Sequence, residues 1–455
     1  MITVGLDFGT HQTKVCIENK EGVECNYSFF KYRDENGVEQ YTIPSVINVD
    51  DKGMLTYGYI PKKAKGRIVR YFKQSVFRNT KEHLMSQEDA MCYSIWYLSY
   101  ILFDLEKLYG TEFSVQMGAP TDSGHYENAK RIAVQILASA YRLVEDVFNN
   151  DKYEFLKSDV ATLKKKTTIV DYSNELKDNY GILVFPEAYA CLKPLTSRGK
   201  IATGMSLMID IGGGTTDVSF FTIEKNLPQV YDFFSINKGL NYLTNVQPEE
   251  YKPLSSFETS HHSTLSHLIN NIKAVFESGD SNEEIFEERK DSNVISAKEI
   301  DVERTKKFVK ELSMKCSSLI QRLQFEFKDQ TNIPLFRLND ALKSRPLIYC
   351  GGGSTFKQLQ MSYFGFKDKK LVSHQEWDIK SIEGIDDIIK KGLCPILSTS
   401  YGLAISVANE NIEKKPFRDI FDNIRKAKEE EEREREVYAA RNRSTSTYDD
   451  WDTIK

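Results

Sequence analysis

Short apolar runs that end at glycine recur along this chain and predict buried strands. Residues 2–8 form the first run, and a second run at 13–18 completes a hairpin around Gly9. Residues 207–223 repeat the same layout around a glycine triplet. Apolar runs of this length bounded by glycine are typical of strands. Further strands are predicted at 113–117, at 182–185, before Gly351, and at 42–49, the last at a sheet edge because it contains proline.

Longer segments between these strands predict helices. Apolar residues recur at helical spacing in 88–109, and helices are also predicted at 126–147, 297–328 and 398–409. Pro186 and Glu187 open another helix, since proline is tolerated in a first helical turn. Strands that alternate with helices favour mixed or parallel sheets covered by helices. Because the glycine hairpin occurs twice, each time opening one half of the chain, the pattern predicts a duplicated α/β domain with a cleft between the copies.

These elements divide the chain into two lobes and a tail. We expect a first lobe at 1–186, with a polar, lysine-rich surface insert at about 150–180, and a second lobe at 187–410. Residues 245–300 are polar and irregular in pattern. The segment 411–455 predicts a solvated helix in its mixed-charge run and a disordered end.

Composition excludes several classes of protein. Of 455 residues, 40% are hydrophobic and 28% charged, as in globular domains, and the net charge of −5 argues against a nucleic-acid-binding surface. We expect no membrane span, because no apolar run reaches about 18 residues. The seven cysteines contain no CxxC pair, so the spacing suggests neither a zinc site nor a disulfide framework. Reduced, buried thiols and the absence of a signal-peptide pattern predict a cytoplasmic protein.

Each glycine hairpin also carries an aspartate at the end of its first strand. Asp7 precedes Gly9 and Thr10, and Asp210 precedes the triplet Gly212–Gly214. Such a turn presents a carboxylate together with backbone N–H groups that can approach a phosphate and its metal ion. Two of these hairpins facing each other would clamp a nucleoside triphosphate.

Three glycine turns in this order resemble those of the actin, hexokinase and heat-shock chaperone superfamily of ATPases. The likeness is strongest to the nucleotide-binding domain of the heat-shock protein 70 (DnaK-type) family. Its phosphate loops resemble Gly5–Thr10 and Asp210–Ser219, its adenosine loop resembles Gly351–Thr355, and its second connecting helix resembles Tyr401–Ala404. The resemblance implies an actin-like (ribonuclease H-like) fold with two lobes around a nucleotide cleft, and ATP and Mg²⁺ as cofactors.

The resemblance also implies roles for individual residues. Asp7 and Asp210 would hold magnesium-bound water, and Lys62, Glu187 and Asp217 would act on the attacking water during hydrolysis. Lys63 and Lys65 are rivals of Lys62 for its role. The remaining residues would contact the phosphates or the adenosine: Gly9, Thr10, Gly212, Gly213, Gly214, Thr215, Gly352, Gly353 and Ser354.

The chain departs from the heat-shock family at three positions. Pro186 precedes Glu187, whereas the chaperones have glutamate before proline, and plasmid-segregation actins resemble the present order better. Phe356 stands near the family's adenine-contacting arginine, and Ile396 stands where the family has aspartate. The helix that contacts adenosine in the second lobe stays open between residues 303–307 and 272–275.

These features predict an ATP-binding, slowly ATP-hydrolysing conformational switch that acts on a protein partner or client. The sequence after the last predicted core helix is too short for the usual substrate-binding domain, so we expect the switch to lack one. The alternative is a filament-forming actin-like ATPase. A small-molecule kinase of the same superfamily ranks last, because no pocket signature for a metabolite is present.

Overall fold

The computed structural model describes most of both predicted lobes. The described residues are 1–61, 64–77, 85–120, 126–196, 205–224, 227–243, 301–331, 342–343, 345–360 and 366–406, with Arg433, Glu436 and Val437. The predictions for 245–300 and, apart from these three residues, for 411–455 lie outside this part of the chain.

The first lobe is built on a six-stranded sheet in which apolar strands alternate in direction and then run parallel. Its long strands lie in the order β3, β2, β1, β10, β11, with β6 paired to β2. The strands of the whole lobe, six of which form this sheet, are β1 (Ile2–Asp7), β2 (Gln12–Glu21), β3 (Glu24–Phe29), β4 (Tyr32–Arg33), β5 (Glu39–Gln40), β6 (Ile43–Pro44), β7 (Ile47–Val49), β8 (Leu55–Tyr57), β9 (Arg67–Val69), β10 (Phe113–Ala119) and β11 (Ile182–Pro186).

The second lobe repeats this arrangement. Its five-stranded sheet has the order β14, β13, β12, β15, β16. In both sheets the first strand pairs antiparallel with the second strand of its hairpin and parallel with a strand that arrives later in the chain. The strands are β12 (Ser206–Ile211), β13 (Thr216–Glu224), β14 (Leu227–Ile236), β15 (Pro346–Cys350) and β16 (Asp368–Leu371).

Helices cover these sheets and connect the lobes. In the first lobe, α3 continues as a single π-helical segment at Leu143–Val147. The helices are α1 (Phe72–Phe77), α2 (Gln87–Tyr109), α3 (Tyr126–Arg142), α4 (Lys152–Leu156), α5 (Val160–Lys166), α6 (Asn174–Asn179), α7 (Glu187–Ala190), α8 (Lys193–Thr196), α9 (Leu240–Leu243), α10 (Val302–Thr331), α11 (Ile385–Lys390) and α12 (Cys394–Ala404).

Most predicted elements are present, and three differ. Residues 42–49 do not form one edge strand: β6 pairs with β2, while β7 lies in the middle of a separate sheet between β8 and β9. The break falls at Ser45, whose N–H and hydroxyl bond to the backbone of the first glycine turn. The helix predicted at 398–409 begins earlier, at Cys394, with Pro395 in its first turn. The strands β3, β14 and β16 were not predicted.

The lysine-rich segment predicted as a surface insert forms three short helices, α4 to α6, and contributes to the core of the first lobe. Phe155, Val160 and Leu163 are buried, and Phe155 packs against Tyr57 and Phe103. Its lysines stay at least partly exposed, whereas these three apolar side chains of α4 and α5 face inward, so composition alone concealed the packing role.

The lobes meet where two connecting helices cross, and small residues make this crossing possible. A Cβ on Gly5 of β1 would collide with the backbone of Ala404 and Ser400 in α12. A Cβ on Gly402 would collide with the carbonyl of Ala190 in α7. Glycine therefore allows α12 to lie directly on the first sheet and on α7. The second-lobe core continues into the first lobe along this helix.

The two lobes thus share one strand order and enclose a cleft, which confirms the predicted duplicated actin-like (ribonuclease H-like) α/β fold. Within the described residues, no helix combines the length and apolar character needed to cross a membrane.

Glu106 in α2 makes the stability of the first lobe depend on pH. Its carboxylate oxygens are buried without a hydrogen-bond partner among the described residues. Burial, together with the nearby Glu145, raises the pKa of Glu106 to about 8. The folded state therefore favours the protonated acid, and the stability it contributes at low pH is lost as pH rises through about 8.

We expect Glu106→Gln to remove this loss, because glutamine keeps the side chain neutral at every pH. The melting temperature of the variant should exceed that of the parent by about 2–4 °C more at pH 9 than at pH 6, roughly the shift that ~1 kcal/mol gives. Thermal unfolding followed by circular dichroism measures this difference. The exposed Glu112→Gln is the matched control, and equal pH profiles for parent and Glu106→Gln would contradict the assignment.

Candidate nucleotide cleft

A cleft with an empty volume of about 870 Å³ lies between the lobes and opens to solvent. Carboxylates, lysines and three glycine turns line it, and both lobes contribute to its walls. Its lining residues are Asp7, Gly9, Thr10, His11, Gln12, Lys14, Lys73, Glu187, Asp210, Gly212, Gly213, Gly214, Thr215, Asp217, Leu240, Gly351, Gly352, Phe356, Ile396 and Thr399.

Hairpin register decides which charges face each other. In the first hairpin, Asp7 lies opposite Lys14, whose Nζ is 3.0 Å from Asp7 Oδ2. In the second hairpin, Asp210 lies opposite Asp217. The duplicated hairpins therefore differ in sign at equivalent positions: one holds an ion pair, and the other holds two carboxylates.

The carboxylates concentrate negative charge at the cleft floor. Burial, together with the charges of Asp217, Asp7 and Glu187, raises the pKa of Asp210 to about 7. Carboxylate oxygens gathered in this way suit a hard divalent cation, which would offset their repulsion. The donor set of Asp7 and Asp210 consequently fits the magnesium ion that the sequence resemblance implies.

Glu187 is the first residue of α7, and a buried lysine holds its carboxylate in place. Lys73 of α1 donates to Glu187 Oε1 at 2.6 Å, and both side chains are less than a tenth exposed. Burial raises the pKa of Glu187, Lys73 lowers it, and Asp217 and Asp7 raise it, with a net upward shift. Gly118 leaves room for the glutamate, since a Cβ there would lie 2.9 Å from Glu187 Cγ.

The glycine triplet of the second hairpin is approached closely by side chains of the first lobe. A Cβ on Gly213 would collide with the ring of His11, and a Cβ on Gly214 would lie 2.7 Å from Thr10 Oγ1. Gln74 donates to the carbonyl of Gly214 at 2.9 Å. These positions are too crowded for any side chain, so the turn presents bare backbone to the cleft.

One hydroxyl and one imidazole lie beside the glycine turns of the two hairpins. Thr215 Oγ1 donates to Asp217 Oδ2 at 2.9 Å, which orients that carboxylate. Burial, with the charges of Arg70 and Lys14, lowers the pKa of His11 to about 3, so its imidazole is neutral at physiological pH.

The third glycine turn closes the other end of the cleft. Gly351 has φ of +83°, and a Cβ there would collide with Asp210, so both conformation and space require glycine. Gly352 faces the cleft. Gly353 instead packs against Ile211, and the Ser354 hydroxyl donates back to the carbonyl of Cys350. Phe356, Ile396 and Thr399 form a flatter, less polar wall beside this turn.

Eleven of the predicted site residues therefore line the cleft: Asp7, Gly9, Thr10, Glu187, Asp210, Gly212, Gly213, Gly214, Thr215, Asp217 and Gly352. Gly353 and Ser354 lie behind the third turn. Lys62 lies outside the described residues, as does its rival Lys63, and Lys65 bonds to Asn48 through its carbonyl group.

Sequence reasoning missed Lys14, His11 and Lys73. The hairpin register alone could have paired Lys14 with Asp7, whereas the sequence places Gly351 in the third glycine turn without a role of its own. No local pattern marks Lys73, because only the folded chain brings α1 to Glu187.

Residues 303–307, one of the two alternatives for adenosine contact, belong to α10. Arg304 donates to the carbonyl of Tyr242, and Lys306 pairs with Glu303 at the surface. None of these described residues is among those lining the cleft. The other alternative, 272–275, lies outside the described residues.

Comparison with known proteins adds little beyond the fold. No family model matches the chain, and no curated protein matches it. Among solved structures, the chain is similar to MreB 5 of Spiroplasma citri bound to AMPPNP, with 15% sequence identity, coverage of 81% of this chain and 91% of that chain, and a TM-score of 0.35. A similarity this weak supports no conclusion about function. The fold class therefore rests on the strand order, and the description of the site rests on the residues that line the cleft.

The buried pair of Lys73 and Glu187 predicts a large effect of removing its cation. Lys73→Met leaves Glu187 buried without its partner, and such losses cost about 3–5 kcal/mol in free energy of unfolding. Chemical denaturation of the full chain measures the change, and the double variant Lys73→Met with Glu187→Met should recover most of it. The exposed Lys306→Met should stay within about 0.5 kcal/mol of the parent. A loss of similar size in the double variant would contradict a charge-specific effect.

Proposed function

We propose that this protein binds Mg·ATP between its lobes and hydrolyses it slowly, using the change in lobe contact as a conformational switch. One observation carries this proposal: two equivalent glycine hairpins, one from each lobe, bring Asp7 and Asp210 to the same cleft beside bare backbone turns. Oxygen donors next to exposed N–H groups are the requirements of a metal-bound triphosphate.

Binding would use charges and donors from both lobes. Lys14, paired with Asp7 at 3.0 Å, is close enough to shift toward a phosphate oxygen. The hydroxyl of Thr10 and the N–H groups of Gly213 and Gly214 would supply neutral donors. Asp7 and Asp210 would hold magnesium, which when bound shields the charge of the phosphates. Adenosine would lie against the turn at Gly351–Gly352, where Phe356 offers an aromatic surface to a purine.

Hydrolysis would depend on Glu187 and Asp217. The pKa of Glu187 is raised chiefly by burial, which improves a carboxylate as a proton acceptor near neutral pH. Lys73 holds this carboxylate in place at 2.6 Å and supplies positive charge beside the cleft. The same ion pair competes with an attacking water for Glu187, which is a physical reason to expect slow turnover. Lys73 thus shares with Lys62 the role of the cation at the reacting phosphate.

The switch would act through the crossing of α7 and α12. Glu187 opens α7, so a change at this residue reaches Ala190, which lies against Gly402 in α12. Helices packed through glycine can slide with little steric resistance, as shear motions between lobes require. We propose that the resulting change in lobe contact is recognised by a protein partner or client, as in a heat-shock 70 nucleotide-binding domain.

A filament-forming actin-like ATPase is the second candidate. One departure from the heat-shock family favours it: Pro186 precedes Glu187, an order that plasmid-segregation actins resemble better. Phe356 and Ile396 also depart from the heat-shock pattern, and both line the cleft. The departures affect interlobe coupling and adenosine contact more than phosphate binding, so both candidates keep the same nucleotide site.

The proposed roles separate in single-turnover experiments. Asp210→Asn should weaken Mg·ATP binding at least tenfold, because it removes a charged metal donor. Glu187→Gln should slow single-turnover hydrolysis by about 10²- to 10⁴-fold with little change in affinity. Binding is measured by calorimetry, with ATP and GTP compared, and hydrolysis by quench-flow. The exposed Asp51→Asn is the control. Unchanged hydrolysis in Glu187→Gln would remove this residue from the mechanism.

Pelleting separates the two candidate functions. A filament-forming protein should sediment at high speed in the presence of Mg·ATP above a critical concentration, and less with ADP. Asp210→Asn should abolish the sedimentation if nucleotide drives it. Material that stays in the supernatant at every concentration tested would exclude filaments and leave the globular switch.

A further inference from the structure

Two thiols meet Asp210 at the floor of the cleft. Cys350 ends β15 and is the register neighbour of Asp210 in the adjacent parallel strand β12. Cys191 directly follows α7. One ligand atom from each of the three residues lies within 4.8 Å of the others, and both cysteines are fully buried. Among the described residues, these are the three side chains of the His, Cys, Asp and Glu types whose ligand atoms lie close enough together to hold one metal ion.

The observed distances suit a tetrahedral ion of the zinc class. Zinc bonds to sulfur at about 2.3 Å and to carboxylate oxygen at about 2.0 Å, which places those two ligand atoms roughly 3.5 Å apart at a tetrahedral angle. Cys191 Sγ lies 3.5 Å from Asp210 Oδ2. By the same geometry, two sulfur ligands would lie roughly 3.8 Å apart. The Sγ atoms of Cys191 and Cys350 lie within 4.8 Å of each other, which is compatible with that separation.

The chemistry of the donors points in the same direction. Sulfur and carboxylate together select borderline and soft cations over magnesium, which takes oxygen donors alone. Three protein ligands leave a fourth position, and Asp210 lines the cleft, so water can enter there. Without a cation the Cys191 thiol donates to the carbonyl of Glu187 at 3.0 Å. A divalent ion would release both protons to solvent and bind the two thiolates and the carboxylate.

We propose that Cys191, Cys350 and Asp210 form a binding site for a thiophilic divalent cation of the zinc class. Because Asp210 belongs to both sites, a thiophilic ion that binds its carboxylate competes with a magnesium-bound nucleotide for this donor, and the site also makes nucleotide binding sensitive to thiophilic metals. This second statement rests on the proposed function, whereas the metal site itself does not.

Co²⁺ and Cd²⁺ serve as spectroscopic probes of this site. The full chain, reduced and freed of metal with a chelator, is titrated with Co²⁺ or Cd²⁺, and thiolate-to-metal charge-transfer absorption is recorded. We expect about one equivalent to bind, and we expect the absorption to disappear in Cys191→Ser and in Cys350→Ser. Cys316→Ser is the matched control, since Cys316 is buried in α10 outside the cluster. Absence of charge-transfer absorption in the parent, or its persistence in both serine variants, would overturn the proposal.

X-ray absorption of the zinc-loaded parent tests the same point without any substitution, which matters if a variant fails to fold. Two sulfur neighbours at about 2.3 Å are expected. A shell of nitrogen and oxygen alone would overturn the site. So would a disulfide between Cys191 and Cys350, found by mass spectrometry in the reduced preparation, because it would remove both ligands.

Competition with nucleotide is measured on protein loaded with one equivalent of zinc and separated from excess metal. Binding of Mg·ATP should weaken at least tenfold in the loaded parent and recover when a chelator removes the zinc. Unchanged affinity in the loaded parent would overturn the competition. Metal binding without any Mg·ATP binding would leave the metal site standing and reject the proposed function, so the two failures are distinguishable.

Discussion

The repulsion among buried carboxylates is the constraint around which this molecule is organised. Asp7, Asp210, Asp217 and Glu187 converge on one cleft, and burial in a poorly solvated site makes their mutual repulsion costly. Two lysines, Lys14 and Lys73, offset part of that charge from the first lobe. The second hairpin has no equivalent lysine in register, because Asp217 occupies that position. The remaining negative charge suits a cation, and the proposed binding of a magnesium-bound nucleotide depends on it.

Close packing of backbone explains how such a cleft can form and change shape. Gly5 and Gly402 let α12 lie on the first sheet and on α7 without side chains between them. Gly213, Gly214 and Gly351 let the turns of both lobes approach one another and Asp210. Glycine thus serves two purposes here: it lets the turns approach neighbouring groups closely, and it removes steric obstacles where the lobes join. Charge determines what the cleft binds, and these small residues determine how the lobes meet.

Much of this arrangement could be predicted from local sequence. A strand that ends in aspartate and turns through glycine depends only on neighbouring residues, so both hairpins and the third turn, with Asp7, Asp210 and Gly352, could be located without the fold. The strands β3, β14 and β16 could not, because their polar or interrupted patterns acquire strand structure only by pairing with a neighbour. The segment 152–166 illustrates the same limit, since its lysines hide the few apolar residues that fill the core of the first lobe.

The sequence by itself determined the duplicated hairpins, the alternation of strands and helices, and the carboxylates that each hairpin delivers, because these follow from turn chemistry and residue period. Tertiary structure alone decided that Lys73 pairs with Glu187, that Gly353 and Ser354 lie behind the third turn, and that α12 crosses α7. It also decided that Cys191 and Cys350, which have no metal-binding spacing in sequence, meet at Asp210. Such contacts join segments far apart in the chain, and their distances are set by how sheets and helices pack rather than by any local preference.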